Sequence, residues 1–270
     1  MSIDQIFDVA QHCEKLGYDS LWVYDHLSPY WLPSQSSLEA WTLLSAVASR
    51  TSKIRIGTLV TNVNFRNPAL LAKMAATVDN ISGGRLIVGL GMGDKMSVNE
   101  LKSYGYRFPP LEERIARLTE TVRILKAMWS GHAISLQGKF YNVSNAICRP
   151  KPIQETGPPI WIGGKHPRMV ETAAGFADGW NYWGLSAGRV LELERLLDER
   201  CTQLGRDRHG ITESWAGTLE IETNSNTPEG IRTQLGAQVG DKTDYFIASF
   251  PAGSDRKAYE AFPEAVTSIS

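Results

Sequence analysis

The sequence predicts an α/β fold in which buried parallel strands alternate with helices. Residues 54–60 are a β-branched and apolar run of strand length, and residues 67–81 follow with apolar side chains at helical spacing. Residues 86–90 form a second short apolar run. A strand, a helix and a strand joined by short links make a βαβ unit, whose strands are parallel and buried on both faces. The 270 residues are enough for one α/β barrel of roughly 250 residues.

Local signals mark where the central helix of this unit begins and ends. Pro68 lies where the first turn of a helix accepts a proline. Residues 82–84 read Ser-Gly-Gly and end the helix, as glycine just past a helix terminus commonly does.

The elements before this unit are a helix, a strand and a second helix. Apolar residues between Ile3 and Leu16 repeat at helical spacing, and Gly17 ends that helix. Residues 20–23 are the first predicted strand, and residues 38–49 are the second predicted helix. The sequence contains no apolar run of strand character before the first helix.

The elements after residue 94 continue the alternation. We interpret residues 95–110 as an irregular insertion. Beyond it we predict helices at 111–129, 167–175, 187–204 and 254–266, a helix start at 227–229, a hairpin within 131–158, and strands at 160–162, 178–181, 216–222 and 244–248. The pattern predicts one domain over residues 1–270, with its strands in a single parallel sheet and its helices outside.

Composition excludes several classes of partner. The formal net charge of -1 gives no reason to expect nucleic acid or an anionic membrane surface. No apolar run approaches the ~18 residues of a membrane span. Cys13, Cys148 and Cys201 are scattered, so they fit neither a disulfide framework nor a metal site, and we expect no metal. A reducing cytoplasm is the simplest compartment for such a set.

Polar breaks follow two of the predicted strands and indicate a ligand site. Residues 61–66 read Thr-Asn-Val-Asn-Phe-Arg, and residues 91–94 read Gly-Met-Gly-Asp. Ligands of parallel α/β folds bind outside the carboxyl ends of the strands, and both breaks lie at such ends. The alternative is that the glycines only end a strand.

His26 is the histidine that most resembles a catalytic group. It follows the strand at 20–23 together with Asp25, and an imidazole beside a carboxylate can be a proton acceptor held in one tautomer. The alternative is a hydrogen-bonded loop histidine without a catalytic role. Residues 28–37, which include Tyr30 and Trp31, are interpreted as a loop that borders the pocket.

A third candidate segment follows the strand at 160–162. Gly163 and Gly164 let the backbone approach an anion, and the helix beginning at Pro167 supplies unpaired N–H groups. Lys165 adds positive charge. These features indicate a phosphate cradle, and the alternative is an ordinary turn between a strand and a helix.

Several of these phrases together resemble one protein family. The segment GTLVTNVNFRNPALLAKMAATVDNISGGRLIVGLGMGDK, over residues 57–95, is similar to the bacterial-luciferase-like superfamily. The order VTN, RxP and GxGxGDK most resembles its deazaflavin-dependent branch, which includes methylenetetrahydromethanopterin reductase. LGYDSLWVYDHL at 16–27, RPKPIQETGPPIWIGG at 149–164 and FADGWN at 176–181 add to the resemblance.

The resemblance implies a TIM (β/α)8 barrel of the luciferase-like type. Barrels of this family open with a strand that ends at the cofactor, and the present chain opens with a helix instead. Three explanations are open: translation starts upstream of Met1, the sequence is truncated, or the barrel has seven strands. We therefore expect a luciferase-like barrel that lacks its first strand.

The resemblance also assigns roles to residues in the three candidate segments. It implies an oxidoreductase that uses the deazaflavin coenzyme F420, with His26 and Asp94 as acid–base groups. The implied coenzyme-binding residues are Leu59, Val60, Thr61, Asn62, Gly91, Gly93, Gly163 and Gly164. It further implies a non-prolyl cis peptide at Leu59–Val60, a small-molecule substrate that the sequence does not identify, and a homodimer. Two alternatives remain open: an FMN-dependent monooxygenase fed by a separate reductase, and a non-catalytic flavin-binding or structural relative.

Overall fold

The structure is a computed structural model that describes residues 2–28, 36–219, 227–236, 238–239, 242–250 and 256–267. The chain forms two compact units. The first contains residues 1–10 and 20–160, and the second contains residues 11–19 and 161–270.

Parallel strands form the sheet of the first unit. In chain order its elements are α1 (Ile3–Lys15, whose last residues belong to the second unit), β1 (Ser20–Val23), α2 (Ala40–Arg50), β2 (Arg55–Thr58), β3 (Thr61–Asn62), α3 (Pro68–Ser82), β4 (Leu86–Gly91), α4 (Val98–Ser103), α5 (Leu111–Met128), β5 (Ile134–Gln137) and β6 (Asn142–Ala146). Strand β2 pairs in parallel with β1 and with β4, and β3 also pairs in parallel with β4. Strands β5 and β6 form the predicted antiparallel hairpin.

The second unit repeats the same alternation. Its elements are β7 (Ile160–Gly163, whose first residue belongs to the first unit), α6 (Pro167–Phe176), β8 (Gly179–Trp183), α7 (Ala187–Leu204), β9 (Thr212–Thr218), α8 (Pro228–Gly236), β10 (Tyr245–Ser249) and α9 (Arg256–Thr267). Strands β7, β8, β9 and β10 pair in that order, and each pair is parallel. The alternation of parallel strands and helices predicted from the sequence is therefore present in each unit.

Helix α3 shows how the local signals set its ends. The side chain of Asn67 accepts a hydrogen bond from the Ala69 N–H at 2.9 Å, and Pro68 occupies the first turn. Gly83 ends the helix with a φ of 69°, in the left-handed region that glycine enters at little cost. The helix predicted at 67–81 is thus confirmed, with its boundaries set by these caps.

The strand predicted at 54–60 is interrupted. It runs as β2 to Thr58 and resumes as β3 at Thr61, and the peptide between Leu59 and Val60 is cis, as predicted. We call Leu59 and Val60 the strand break. Both are half-exposed, whereas Thr58 and Thr61 on either side are buried.

Buried hydroxyl groups and one glycine pack around the strand break. Trp41 Nε1 donates to Thr61 Oγ1 at 3.1 Å, Thr61 Oγ1 donates to Thr58 Oγ1 at 2.9 Å, and Thr58 Oγ1 donates to the Gly89 carbonyl at 2.9 Å. A Cβ at Gly89 would lie 1.9 Å from the Thr58 carbonyl oxygen. Only glycine therefore fits in β4 opposite the break.

The interpretation of residues 95–110 as irregular is wrong for residues 95–103, whereas residues 104–110 form no helix or strand. Residues 95–97 form a 3₁₀ turn that leads into α4. The turn begins there because Asp94 Oδ1 accepts hydrogen bonds from the N–H groups of Met96 and Ser97. Leu101 and Glu100 of α4 are buried, so packing holds this short helix in place.

Two other predicted boundaries are shifted. The strand predicted at 216–222 begins earlier, at Thr212, whose N–H donates to the Asp178 carbonyl at 3.1 Å, and it ends at Thr218. Residues 220–222 lie outside the described residues. The helix predicted at 38–49 begins at Ala40, because Glu39 caps it through the N–H groups of Trp41 and Thr42.

No helix in the described part of the chain is long and apolar enough to cross a membrane. Within the same residues, no group of three or more His, Cys, Asp or Glu side chains is placed to hold a metal ion. Cys13, Cys148 and Cys201 are buried and free.

Candidate active site

The loops that follow β1, β3 and β4 meet at the carboxyl ends of these strands. The Asn62 N–H donates to Asp25 Oδ2 at 3.0 Å, which joins the loops after β1 and β3. Asn64 Nδ2 donates to the Met92 carbonyl at 2.8 Å, which joins the loops after β3 and β4. Gly93 has a φ of 69°, and a Cβ there would lie 3.0 Å from the Asn62 amide. The structure thus brings together the polar breaks that the sequence singled out in the first unit.

His26 is paired with a buried carboxylate that the sequence analysis did not identify. Its Nδ1 lies 2.8 Å from Glu100 Oε2, and Glu100 is 2% exposed. Burial alone would raise the pKa of the Glu100 carboxyl, but hydrogen bonds from His26 and from the Ser28 N–H lower that pKa below its ordinary value. Glu100 is therefore an ionised acceptor at neutral pH.

Asp25 is not the carboxylate that contacts His26 through Nδ1, although the two are adjacent in sequence. Arg66 donates to both oxygens of Asp25, with Nη1–Oδ2 at 2.6 Å and Nη2–Oδ1 at 2.8 Å, and also to Glu39 Oε1. Burial raises the pKa of the Asp25 carboxyl, and the hydrogen bonds and charge of Arg66 counteract that effect. This ion pair holds the loop after β1 against the loop after β3.

Asp94 lies at the end of β4, where the sequence predicted an acid–base group. Its Oδ1 accepts from the N–H groups of Met96 and Ser97 at 2.9 and 3.1 Å and from the Ser97 hydroxyl at 3.2 Å. The structure therefore gives Asp94 a capping role at the turn before α4. A catalytic role for this residue stays a prediction.

The predicted coenzyme-binding residues of the first unit differ in exposure. Leu59 and Val60 present half-exposed apolar side chains at the strand break. Thr61 and Gly91 are buried, and Asn62 is 6% exposed. The Asn62 Oδ1 accepts from the N–H and the side-chain amide of Asn64, which fixes the Asn62 side chain.

The glycine segment of the second unit is ordered by its own contacts. The Gly164 N–H donates to the Asn181 carbonyl at 2.9 Å, and the Gly164 carbonyl accepts from Trp180 Nε1 at 2.8 Å. Gly164 has a φ of 154°, and a Cβ there would lie 3.0 Å from Met169 Cγ. Gly163 is buried in β7. The predicted phosphate-binding role of these glycines stays a prediction.

Two side chains beside these glycines have defined partners. His166 Nδ1 accepts from the Arg168 N–H at 3.2 Å and so caps the start of α6. Lys165 is exposed, and its Nζ lies 5.2 Å from the centre of the Trp183 ring. The loop predicted to border the pocket is residues 28–37, of which residues 29–35, with Tyr30 and Trp31, lie outside the described residues.

Glu100, Arg66 and Glu39 are the residues of this site that received no role from the sequence. Glu100 lay in the segment interpreted as irregular, and it is 74 positions from His26. The available signal was Asp94 followed by the apolar residues Val98 and Leu101, the pattern of a capped short helix. Arg66 belonged to a quoted motif, but nothing in the pattern connects it with Asp25.

Comparison with solved structures shows the fold. An F420-dependent secondary alcohol dehydrogenase, in complex with an F420–acetone adduct, matches with a TM-score of 0.85 and 19% identity over 100% of this chain and 96% of the other. A coenzyme F420-dependent tetrahydromethanopterin reductase from Methanopyrus kandleri matches with a TM-score of 0.78 and 20% identity over 99% of this chain and 96% of the other. The predicted fold class, the α/β barrel of the luciferase-like type, is confirmed.

Comparison with curated proteins gives relatives of higher identity. The chain is 34% identical to an F420-dependent glucose-6-phosphate dehydrogenase of Kineococcus radiotolerans over 222 residues. That alignment covers 81% of this chain and 63% of the relative. It is 32% identical to a protein of the same name from Amycolatopsis mediterranei over 189 residues, and that alignment covers 70% of this chain and 55% of the relative. The matches thus span less than two thirds of these relatives' own length.

A family model adds to these pairwise matches. The model described as luciferase-like monooxygenase matches residues 1–226, which is most of the chain. The chain belongs to the luciferase-like monooxygenase family.

Proposed function

We propose that the protein is an oxidoreductase that uses coenzyme F420 to transfer a hydride to or from a small organic substrate. The observation that carries the proposal is the strand break of half-exposed Leu59 and Val60 at the same strand ends as the His26–Glu100 pair. The names of the relatives from Kineococcus and Amycolatopsis support the choice of coenzyme. When bound, F420 would supply the hydride chemistry, and the protein would supply binding, orientation and proton transfer.

The residues of the first unit fit a flat ring of this kind. Leu59 and Val60 offer apolar surface for a ring face, at a point where neighbouring strand residues are fully buried. Asn62 and the turn at Gly91–Gly93 offer polar groups for a ring edge. A Cβ at Gly93 would lie 3.0 Å from the Asn62 amide and the φ there is 69°, so a residue with a side chain would be strained at this turn. In the second unit, Gly163 and Gly164 before α6 would form a phosphate-binding segment.

His26 would accept or return the proton that accompanies hydride transfer at the substrate. A positioned general acid or base of this type contributes typically ~10²–10⁴-fold to a rate. Asp94 would be the second acid–base group. Leu59 and Val60 would exclude water from one side of the reacting centre, which strengthens the electrostatic contacts on the other.

The substrate is a small organic molecule that the residues described do not specify. We propose a homodimer that works in a reducing cytoplasm. The three buried free cysteines support that compartment, because thiols there stay reduced.

Paired binding titrations on one preparation test the choice of coenzyme. The protein is titrated with oxidised F420 and with FMN, and binding is followed by the change in fluorescence of each. We expect saturable F420 binding and much weaker FMN binding. Micromolar FMN affinity with no detectable F420 binding would favour an FMN-dependent monooxygenase, and no binding of either would favour a non-catalytic relative.

A further inference from the structure

Helix α4 clamps the loop that carries His26. Glu100 Oε2 contacts His26 Nδ1, while Glu100 Oε1 accepts from the N–H groups of Leu27 and Ser28, the latter at 3.1 Å. The hydroxyl of Tyr104, at the end of the same helix, donates to the Leu27 carbonyl at 3.1 Å. One short helix therefore fixes both the backbone and the imidazole of this loop.

The two oxygens of Glu100 have different partners, and this difference determines the position of a proton. Backbone N–H groups can only donate, so Oε1 has to be an acceptor. The carboxylate is ionised, so Oε2 is an acceptor as well, and His26 Nδ1 has to carry the hydrogen. A neutral imidazole has one N–H, so Nε2 is then the unprotonated nitrogen, which carries the lone pair.

We propose that Glu100 is a positioning residue that fixes His26 in the Nδ1-protonated tautomer, so that Nε2 is the atom that exchanges a proton with substrate. The part about the tautomer follows from the contacts of the first unit alone. The part about substrate rests on the proposed function. For a substrate with a hydroxyl group, the O–H bond would break and Nε2 would take that proton, while F420, when bound in its oxidised form, would supply the acceptor for the hydride from the adjacent carbon. The reverse reaction returns both.

Glu100→Gln is a sharp test because the contacts determine how the amide is oriented. The amide oxygen has to face the N–H groups of Leu27 and Ser28, as Oε1 does now. The amide NH₂ then faces Nδ1, which can satisfy it only as an acceptor. The proton of neutral His26 therefore moves to Nε2, and the base required for proton abstraction is lost while the volume of residue 100 is unchanged.

The tautomer is measured by ¹⁵N NMR of protein labelled in its histidine rings, at a pH where the imidazole is neutral. The signals of His26 are those that disappear in His26→Gln, among the five histidines of the chain. Tyr104→Phe is the matched control, because it removes a contact from α4 to the same loop and leaves Glu100 unchanged. This readout requires neither coenzyme nor substrate.

We expect the Nδ1–H tautomer in the wild type and in Tyr104→Phe, and the Nε2–H tautomer in Glu100→Gln. We expect turnover of Glu100→Gln to fall at least ~10²-fold, with F420 affinity unchanged. A wild-type His26 protonated at Nε2 would overturn the inference, and that measurement needs no variant to fold. A tautomer that shifts as expected with unchanged turnover would support the positioning role and overturn the catalytic role given to His26 under the proposed function.

Discussion

Replacing Arg66 with methionine would show how far the candidate site depends on a buried ion pair. Arg66 donates two hydrogen bonds to Asp25, at 2.6 and 2.8 Å, and the side chains of Arg66 and Asp25 are 9% and 0% exposed. Methionine keeps most of the aliphatic length and removes every donor. The variant therefore leaves the Asp25 carboxylate buried without its cation.

The expected loss of unfolding free energy follows from that burial. Removing one partner of a buried ion pair costs about 3–5 kcal/mol, because the other charge remains without compensation. The Asn62 N–H still donates to Asp25 at 3.0 Å, so part of the compensation remains. The contact of Arg66 with Glu39 adds little, because the Glu39 side chain is 37% exposed. We expect a loss of about 3 kcal/mol, at the lower end of that range.

The loss should depend on pH in a defined direction. Burial already raises the pKa of Asp25, and the loss of Arg66 removes the contacts that lower it. With the pKa raised in the folded state, the folded protein binds the proton more tightly than the unfolded chain, so stability falls as pH rises through that folded pKa. The deficit of Arg66→Met should therefore be largest at neutral pH and shrink as the pH is lowered toward the ordinary pKa of an aspartate.

Urea unfolding at neutral and at mildly acidic pH measures both effects. Arg189→Met is the control, because Arg189 and Glu192 form an ion pair whose side chains are 41% and 61% exposed. That control should change stability by less than about 0.5 kcal/mol. A loss below about 1 kcal/mol for Arg66→Met, or a deficit that does not change with pH, would refute the reasoning.

Three further substitutions test other parts of the site. Gly89→Ala should lower the free energy of unfolding, measured in urea, by at least about 1–3 kcal/mol, because its Cβ would lie 1.9 Å from the Thr58 carbonyl oxygen. Gly188→Ala is the control and should lower it by nothing measurable, because a Cβ there would have no atom within 4 Å. Equal effects of the two substitutions would contradict the packing argument. His26→Ala should lower turnover at least ~10²-fold and leave F420 affinity nearly unchanged, and an equal loss of both would indicate a structural histidine. Asp94→Ser keeps an oxygen that can cap the turn and removes the carboxylic acid. A large fall in turnover at unchanged stability would support acid–base catalysis by Asp94. Full activity would show that Asp94 has only the capping role.

The elements that the sequence predicted well are those with local signals. Helix α3 has its proline, its Asn67 cap and its terminal glycine within one short stretch, and its ends fall where those residues place them. Helix α7 was predicted at 187–204 and runs from Ala187 to Leu204. The cis peptide at Leu59–Val60 came from the resemblance to a family, since no property of either residue predicts it.

The pairings inside the site could not be predicted because they join distant parts of the chain. His26 and Glu100 are 74 positions apart, and Asp25 and Arg66 are 41 apart. Their adjacency in sequence suggested an Asp25–His26 pair. The side chains of adjacent residues can point in different directions, and these two bind Arg66 and Glu100. The start of β9 at Thr212 likewise depends on pairing with a neighbouring strand, which no local pattern specifies.

A crystal structure of the protein with oxidised F420 bound is the most direct test of the central claim. That claim is that the carboxyl ends of the strands in the first unit hold the deazaflavin ring. We predict that the ring contacts Leu59 and Val60, and that the imidazole of His26, still paired with Glu100, faces the open side of the ring. A ring bound away from the strand break, or a complex that forms only with FMN, would contradict the account.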